Sequence, residues 1–348
     1  GLTDGLNARE SKIFGRDIEY EDVVALQFVQ EVDYAFFDYK SKRFHPLFSF
    51  LYGIRDIISL ARSEDLFRHC HAFIATGDTT ADGGIIVAHA TVFPNYISER
   101  CNFIVDIKPS NGYRFIMKAL QGSLWSQEDF YQNERGIVLT ETELFPQGPF
   151  NIKRVPKGIR SRLAIQYSAS IDEVIENLQK GNNGLIPNEW LIGDIKTGEI
   201  ARLEQALYNT PVTRTRNGFF ESYTRPHTRN VERELWGLLY PLYKIIVKIY
   251  PEIESRNEVF KKFVEIKEKY YGKIDIDNAK KIMAVSPISN GVTDCKITGS
   301  KLSKDMGIMV YLGKLDGNEF IPSEDEMEKF RGITILPPSG WCKIYGEF

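Results

Sequence analysis

From residue 70 onward the chain runs through short segments crowded with β-branched, aliphatic and aromatic residues: AFIAT, GGIIVAHATVF, CNFIVDI, YRFIMKAL and GIVLTETEL, the last ending at Leu144. Runs of that length and make-up predict successive sheet strands. Asp82-Gly83-Gly84 and Pro109-Ser110-Asn111-Gly112 supply the turns between them. Ahead of this region, residues 22–38 place Leu26, Val29 and Phe36 at helical spacing, and RFHPLFSFLYGI follows at 43–54; both are expected to pack into core. Behind it, SIDEVIENLQKGNNG predicts a helix with Ser170 as N-cap, Glu173 completing a capping box and Gly181 beyond the C-terminus. EWLIGDIKTGEIARLEQAL, 189–207, reads as a hairpin about Lys196-Thr197-Gly198. A long helical stretch is expected over roughly 229–271, kinked or split at Pro241 and Pro251, and short strands return from 282. Strands, then helices, then strands imply one large α+β unit, residues 70–348, behind a helical leader, residues 1–69. The sequence contains no internal repeat and no low-complexity segment.

Composition narrows the picture. A chain of 348 residues, 43% hydrophobic and 26% charged, can bury a sizeable core. Its formal charge is −3, with lysines and arginines scattered, so no stripe suited to phosphates exists and nucleic acid is not an expected partner. The longest apolar run, LWGLLYPLYKIIVKIY, is broken by Pro241, Lys244 and Lys248 and is too short to cross a bilayer; no membrane span is expected. The cysteines, Cys70, Cys101, Cys295 and Cys342, show no C-x-x-C spacing. With Cys70 as a working thiol, the others allow at most one disulfide, and redox compartment is not legible from the count. The opening GLTDGLNARE has neither the basic nor the apolar region of a signal peptide. It reads like the middle of a protein, and secretion or a periplasmic address would follow if a leader had been removed.

Candidate chemistry centres on FRHCHAF, where Cys70 stands between His69 and His71. On a strand the two imidazoles share one face and the thiol the other, so the three do not converge on one ion. His89 could add a ligand, but no H-E-x-x-H and no carboxylate at metal-site spacing accompanies it, and neither a metal nor another cofactor is expected. A thiol of ordinary pKa needs a base to act as a nucleophile. Cutting the His69–Cys70 bond would create one, because the new α-amine sits on the cysteine itself. A buried inert thiol is the third reading left open by the residues alone.

The run CHAFIATGDTTADGGIIVAHATVF resembles the nucleophile region of the phospholipase B-like proteins and the related acyl-CoA:6-aminopenicillanic acid acyltransferase (penicillin acyltransferase) group. Both are N-terminal nucleophile (Ntn) hydrolases. GSLWSQEDFY, GIVLTETEL, NEWLIGDIKTGEIARLEQ and GVTDCKIT follow in the family's order, covering most of residues 70 to 300, and GLTDGLNAR resembles the segment upstream of the nucleophile.

The resemblance implies a four-layer αββα sandwich, the Ntn-hydrolase fold, in an autoprocessed zymogen. Residues 1–69 would be a pro-segment packed on the catalytic domain and nicked off between His69 and Cys70. Cys70 would be the nucleophile, His89 in A-H-x-T would contact or orient its amine, and Thr91 matches that element's threonine. Asn188, in N-x-W, would donate to the oxyanion. Thr140 and Glu141 would support the pocket, as would Glu204. Ala90 and Val92 stand where the family's A-H-N-T-W has asparagine and tryptophan, which implies a missing polar group beside the nucleophile and a reshaped pocket floor. The implied activity is hydrolysis of a linear amide or ester of an N-acyl or lipid-like substrate through an acyl-enzyme. Acyl transfer to an amine acceptor, or a non-catalytic binding protein retaining the fold, are the alternatives.

Overall fold

The computed structural model describes residues 2–10, 12–13, 15–29, 31, 70–92, 98, 103–127, 129–249, 256–329 and 332–346. Residues 30 and 32–38 of the expected 22–38 helix, the run at 43–54, His69, Cys101 and Pro251 lie outside them; Leu26 and Val29, expected in the core, are exposed. In the leader, α1 (Leu2–Ala8) and α2 (Tyr20–Gln27) flank a ribbon of β1 (Lys12–Ile13) and β2 (Arg16–Asp17).

Two antiparallel sheets carry the body. One is formed by β5 (Phe103–Ile107), β6 (Phe115–Ala119), β7 (Phe130–Asn133), β8 (Ile137–Glu143), β9 (Asn188–Asp194), β10 (Glu199–Gln205) and β11 (Val212–Thr215), each paired with the next in chain order. The other runs β12-β3-β4-β13-β14-β15, where β3 is His71–Gly77, β4 Gly83–Thr91, β12 Gly218–Ser222, β13 Asp294–Gly299, β14 Ile308–Leu312 and β15 Cys342–Ile344. Ala72, Ile74, Ile85 and Val87 of the second sheet pack between the sheets against Ile116, Val138, Leu191 and Ile200 of the first.

Both sheets are covered on their outer faces. Met117, Leu139, Trp190 and Leu203 meet Ala164 and Ile165 of α3 (Lys157–Tyr167) and Val174 and Leu178 of α4 (Ile171–Gln179). Further along the chain come α5 (Arg229–Trp236), α6 (Tyr240–Ile249), α7 (Arg256–Lys269) and α8 (Ile276–Met283). Phe73, Ala88 and Ile297 meet Phe263 and Ile266 of α7 and Ala279, Ile282 and Met283 of α8. The result is the expected αββα order. Because both faces of each sheet are buried, the strands read as continuous apolar runs rather than alternating ones.

The expected strands and the 189–207 hairpin are present. Ser170 caps α4 by accepting from the Glu173 N–H, and Gly181 takes φ 67 beyond the helix, as expected. Glu173 reaches back to the Ala169 N–H, one residue earlier than a regular capping box. The helical stretch breaks at Gly237, whose φ of 52 suits glycine, and Pro241 falls in the first turn of α6, where a missing N–H costs nothing; Pro241 therefore neither kinks nor splits a helix. Pattern reading missed β7, β11, β12 and α3.

Strand parity positions the site. Since Ala72 and Ile74 point between the sheets, Cys70, immediately before β3, shares their direction. The same parity turns His89 and Thr91 inward on β4, Lys118 on β6, and Asp294 and Lys296 on β13.

Candidate active site

The space between the sheets is apolar through its middle and polar at one end. There β3, β4 and β13 lie side by side, with Lys296 opposite His89, Asp294 opposite Thr91 and His71 opposite Ala90. The Cys70 sulfur, a ring nitrogen of His89 and a carboxylate oxygen of Asp129 all lie within 4.8 Å of one another. Cys70 is half-buried, while His89 and Asp129 are buried.

Burial pushes the Cys70 thiol well above its ordinary range, and the nearby Asp129 charge adds to this; the Val92 backbone N–H and the Lys296 ammonium pull the other way. With its peptide bond to residue 69 intact, Cys70 is thus a protonated thiol at neutral pH. Burial, reinforced by Lys296, holds His89 well below its usual pKa against the pull of Asp294 and the Glu141 backbone, so the imidazole is neutral. Its Nδ1 lies 3.5 Å from Thr91 Oγ1, and its Nε2 has no partner in hydrogen-bond geometry among the described residues.

Asp129 precedes β7 in a left-handed conformation, φ 55, uncommon for a non-glycine residue and typical of strained functional positions. Thr140 Oγ1 donates to its backbone carbonyl at 2.6 Å and so pins the turn. Its carboxyl is raised well above the usual range by burial and by repulsion from Glu141, against the pull of Lys157. Lys157, the first residue of α3, lies 3.3 Å from Asp129 and is also bonded to Glu141. Asn188 Nδ2 donates to the other Glu141 oxygen at 2.8 Å, while Asn188 Oδ1 has no partner among the described residues. On the far side of the thiol, Lys296 contacts Thr91 Oγ1 and donates to Asp294 Oδ1 at 2.6 Å, and Lys118 of the opposite sheet donates to Asp294 Oδ2 at 2.8 Å.

Cys70, His89, Thr91 and Thr140 share the inter-sheet face and meet at Asp129, while Glu141 and Asn188, which by parity share the outward face of Leu139 and Trp190, join that cluster through Lys157. Glu204 differs: its carboxylate accepts from the His227 and Thr228 backbone N–H groups and from the Thr228 hydroxyl, none of them partners of the thiol cluster. His71 faces the outer layer, Nδ1 donating to the Ile288 carbonyl at 2.8 Å. Ala90 and Val92 point outward too, into the core beneath α7 and α8. The expectation that they remove a polar group and reshape the pocket floor is corrected by strand parity: only the Val92 backbone reaches the thiol.

Sequence reasoning did not single out Asp129, Lys157, Lys118, Asp294 or Lys296. A signal existed for three of these. Lys118 interrupts an apolar strand, and Asp294 and Lys296 alternate with Cys295 and Ile297, which places charges on a face that both sheets bury. Asp129 and Lys157 are delivered by a turn and a helix start, for which no periodic pattern exists.

Comparison with known proteins adds little to this geometry. No protein-family profile matches the chain. An uncharacterized protein of Archaeoglobus fulgidus is 22% identical over 199 residues, 57% of this chain and 30% of that protein, so the aligned part spans under a third of the relative's length. Among solved structures, a point variant of conjugated bile acid hydrolase from Clostridium perfringens superposes with TM-score 0.43 at 14% identity, covering 80% of this chain and 98% of that one. A second mutant of the same hydrolase gives TM-score 0.39 at 13% identity, over 69% and 88%. Among the described residues, no helix is long and apolar enough to cross a membrane.

Proposed function

We propose that this chain is a cysteine Ntn hydrolase that frees its own nucleophile and then cleaves an N-acyl amide, or an ester, of a small or lipid-like substrate. The observation that carries the reading is the thiol of Cys70, set immediately before a strand and opening between two sheets, with a neutral imidazole and a carboxyl within 4.8 Å.

In the first reaction the Cys70 sulfur attacks the carbonyl carbon of residue 69, the C–N bond breaks, and the acyl group passes from nitrogen to sulfur. Water then hydrolyses the thioester, leaving a carboxylate on the leader and a free amine on Cys70. In the second, that amine takes the thiol proton as sulfur attacks the substrate carbonyl. The resemblance assigns the tetrahedral oxyanion to the Asn188 amide, whose nitrogen carries a second N–H besides the one given to Glu141 and would turn to the thiol from the outward face it shares with Trp190. The amine proton passes to the leaving group, and water releases the acid. Glu141, held by Lys157, accepts from the Asn188 amide and fixes its orientation; Thr140 and Asp129 shape the floor beside the thiol.

The reading is tested by mixing the processed protein with a panel of N-acyl amides and following the mass of the fragment beginning at Cys70. An acyl adduct on that fragment that appears at early times and decays supports it. A processed protein that never acquires an adduct, and whose thiol resists alkylation, supports the non-catalytic alternative. Adduct decay accelerated by an added amine, with amide product, selects acyl transfer over hydrolysis.

A further inference from the structure

The donor set around Cys70 is also that of a metal site. Sulfur, imidazole nitrogen and carboxylate oxygen are the ligand types a thiophilic divalent ion such as Zn²⁺ prefers, and here they come from three separate elements: the start of β3, the inward face of β4 and the strained turn before β7. Tetrahedral zinc, with bonds of about 2.0–2.3 Å, spaces its ligand atoms about 3.3–3.8 Å apart. The three atoms, mutually within 4.8 Å, reach that spacing by closing on an ion, with side-chain movements of an ångström or so. His89 Nε2, buried and without a hydrogen-bond partner among the described residues, is an available ligand nitrogen on that ring. Glu141, Glu143 and Asp294 balance Lys118, Lys157 and Lys296 around the three ligand groups.

We infer that Cys70, His89 and Asp129 form a binding site for one Zn²⁺-like ion, which blocks the nucleophile while it is bound. Binding exchanges protons for the metal: the thiol loses its proton as the S–M bond forms, and the raised Asp129 carboxyl gives up any proton it holds as the O–M bond forms. In the intact chain the site has three protein ligands and an open position for water. Release of the Cys70 amine completes it, because an amine and a thiolate on one residue chelate an ion in a five-membered ring, giving an N,S,N,O tetrahedron. Metal then caps both the nucleophile and its base, and the processed protein binds more tightly than the uncut one.

The test uses the whole protein, uncut and processed, with Zn²⁺ and, as an optical reporter of thiolate ligation, Co²⁺. The expected results are one ion per chain, a thiolate-to-cobalt charge-transfer band, and alkylation of Cys70 by iodoacetamide slowed at least tenfold by Zn²⁺ and restored by a chelator. His89→Gln and Asp129→Asn weaken binding at least tenfold, and Cys70→Ser loses the band. Circular dichroism and the melting temperature of each metal-free variant confirm that it is folded before binding is read. Unchanged alkylation in micromolar Zn²⁺, or a Cys70→Ser variant that binds as tightly as the parent, overturns the inference. Because the uncut chain already carries three ligands, failure to process itself would remove the proposed hydrolase function without touching this result.

Discussion

At the residue scale the site is a set of groups whose ordinary behaviour has been changed by burial. His89 is neutral in the folded chain because burial holds its pKa well below the ordinary histidine value of about 6.5, with Lys296 and Lys118 opposing its charge and Asp294 favouring it. The unfolded chain takes up this proton near pH 6.5 and the folded chain does not, so the stability His89 contributes is full above that pH and is lost as pH falls toward the folded value. Urea titrations between about pH 7 and 5 should show His89→Gln less acid-sensitive than the parent, by up to about 1.4 kcal/mol per pH unit, the slope of one proton. Parallel slopes would contradict the assignment. Asn188→Ala removes the proposed oxyanion donor and should lower kcat by about 10²–10³ with little change in KM. A rise in KM alone, in steady-state kinetics on any substrate found, would make Asn188 a binding residue instead. Of these residues the thiol, His89 and Asn188 were legible from sequence because short motifs resembling a family carry them. Asp129 was not, since what recruits it is a left-handed turn rather than a pattern.

At the element scale, local chemistry and legibility go together. The helix α4 announces itself with a cap at each end, and Ser170→Ala should cost about 1 kcal/mol in denaturant unfolding, while a change within error would mean the cap is redundant. The missed helix α3 has no such pattern: it buries Lys157, Arg160 and Ser161 and exposes Ile159 and Leu163, the reverse of an amphipathic stripe. Its start is instead fixed by partners far away in sequence. Glu31 of the leader accepts from the Gly158 N–H at 3.2 Å and from Asn183 Nδ2 at 2.9 Å, and Gln27 bonds Leu124 N, Gly122 O and, through its carbonyl, Trp125 Nε1. The leader thus holds the helix that carries Lys157. Glu31→Ala leaves two buried donors unpaired and should cost about 1–3 kcal/mol in the uncut protein, read by urea unfolding. If processing frees the leader, the same substitution should leave the stability of the separated body unchanged.

At the scale of the whole molecule, the fold separates two jobs that compete for the same space. The middle of the inter-sheet layer, with Ile74, Val87, Val138 and Leu191, joins the sheets by apolar burial. The end is given over to charges that must be paired across the sheets, and Lys118 on β6 to Asp294 on β13 is that link. Lys118→Met leaves Asp294 short of a partner and should destabilise by about 3–5 kcal/mol in denaturant melts; a loss below about 1 kcal/mol would mean that Lys296 compensates alone. The strands were legible because both sheets are buried on both faces and read as apolar runs, whereas the αββα layer order came from the family resemblance and not from the pattern. The convergence of distant charges was not, because it is set by sheet register and helix placement. The central claim, that this architecture exists to expose an N-terminal cysteine, is tested most directly by intact-mass spectrometry of the purified 348-residue chain under denaturing conditions, beside Cys70→Ala. The account predicts two fragments meeting between His69 and Cys70 in the parent and a single uncut chain in the variant. A parent that stays whole under every condition tried, mild acid included, would contradict it.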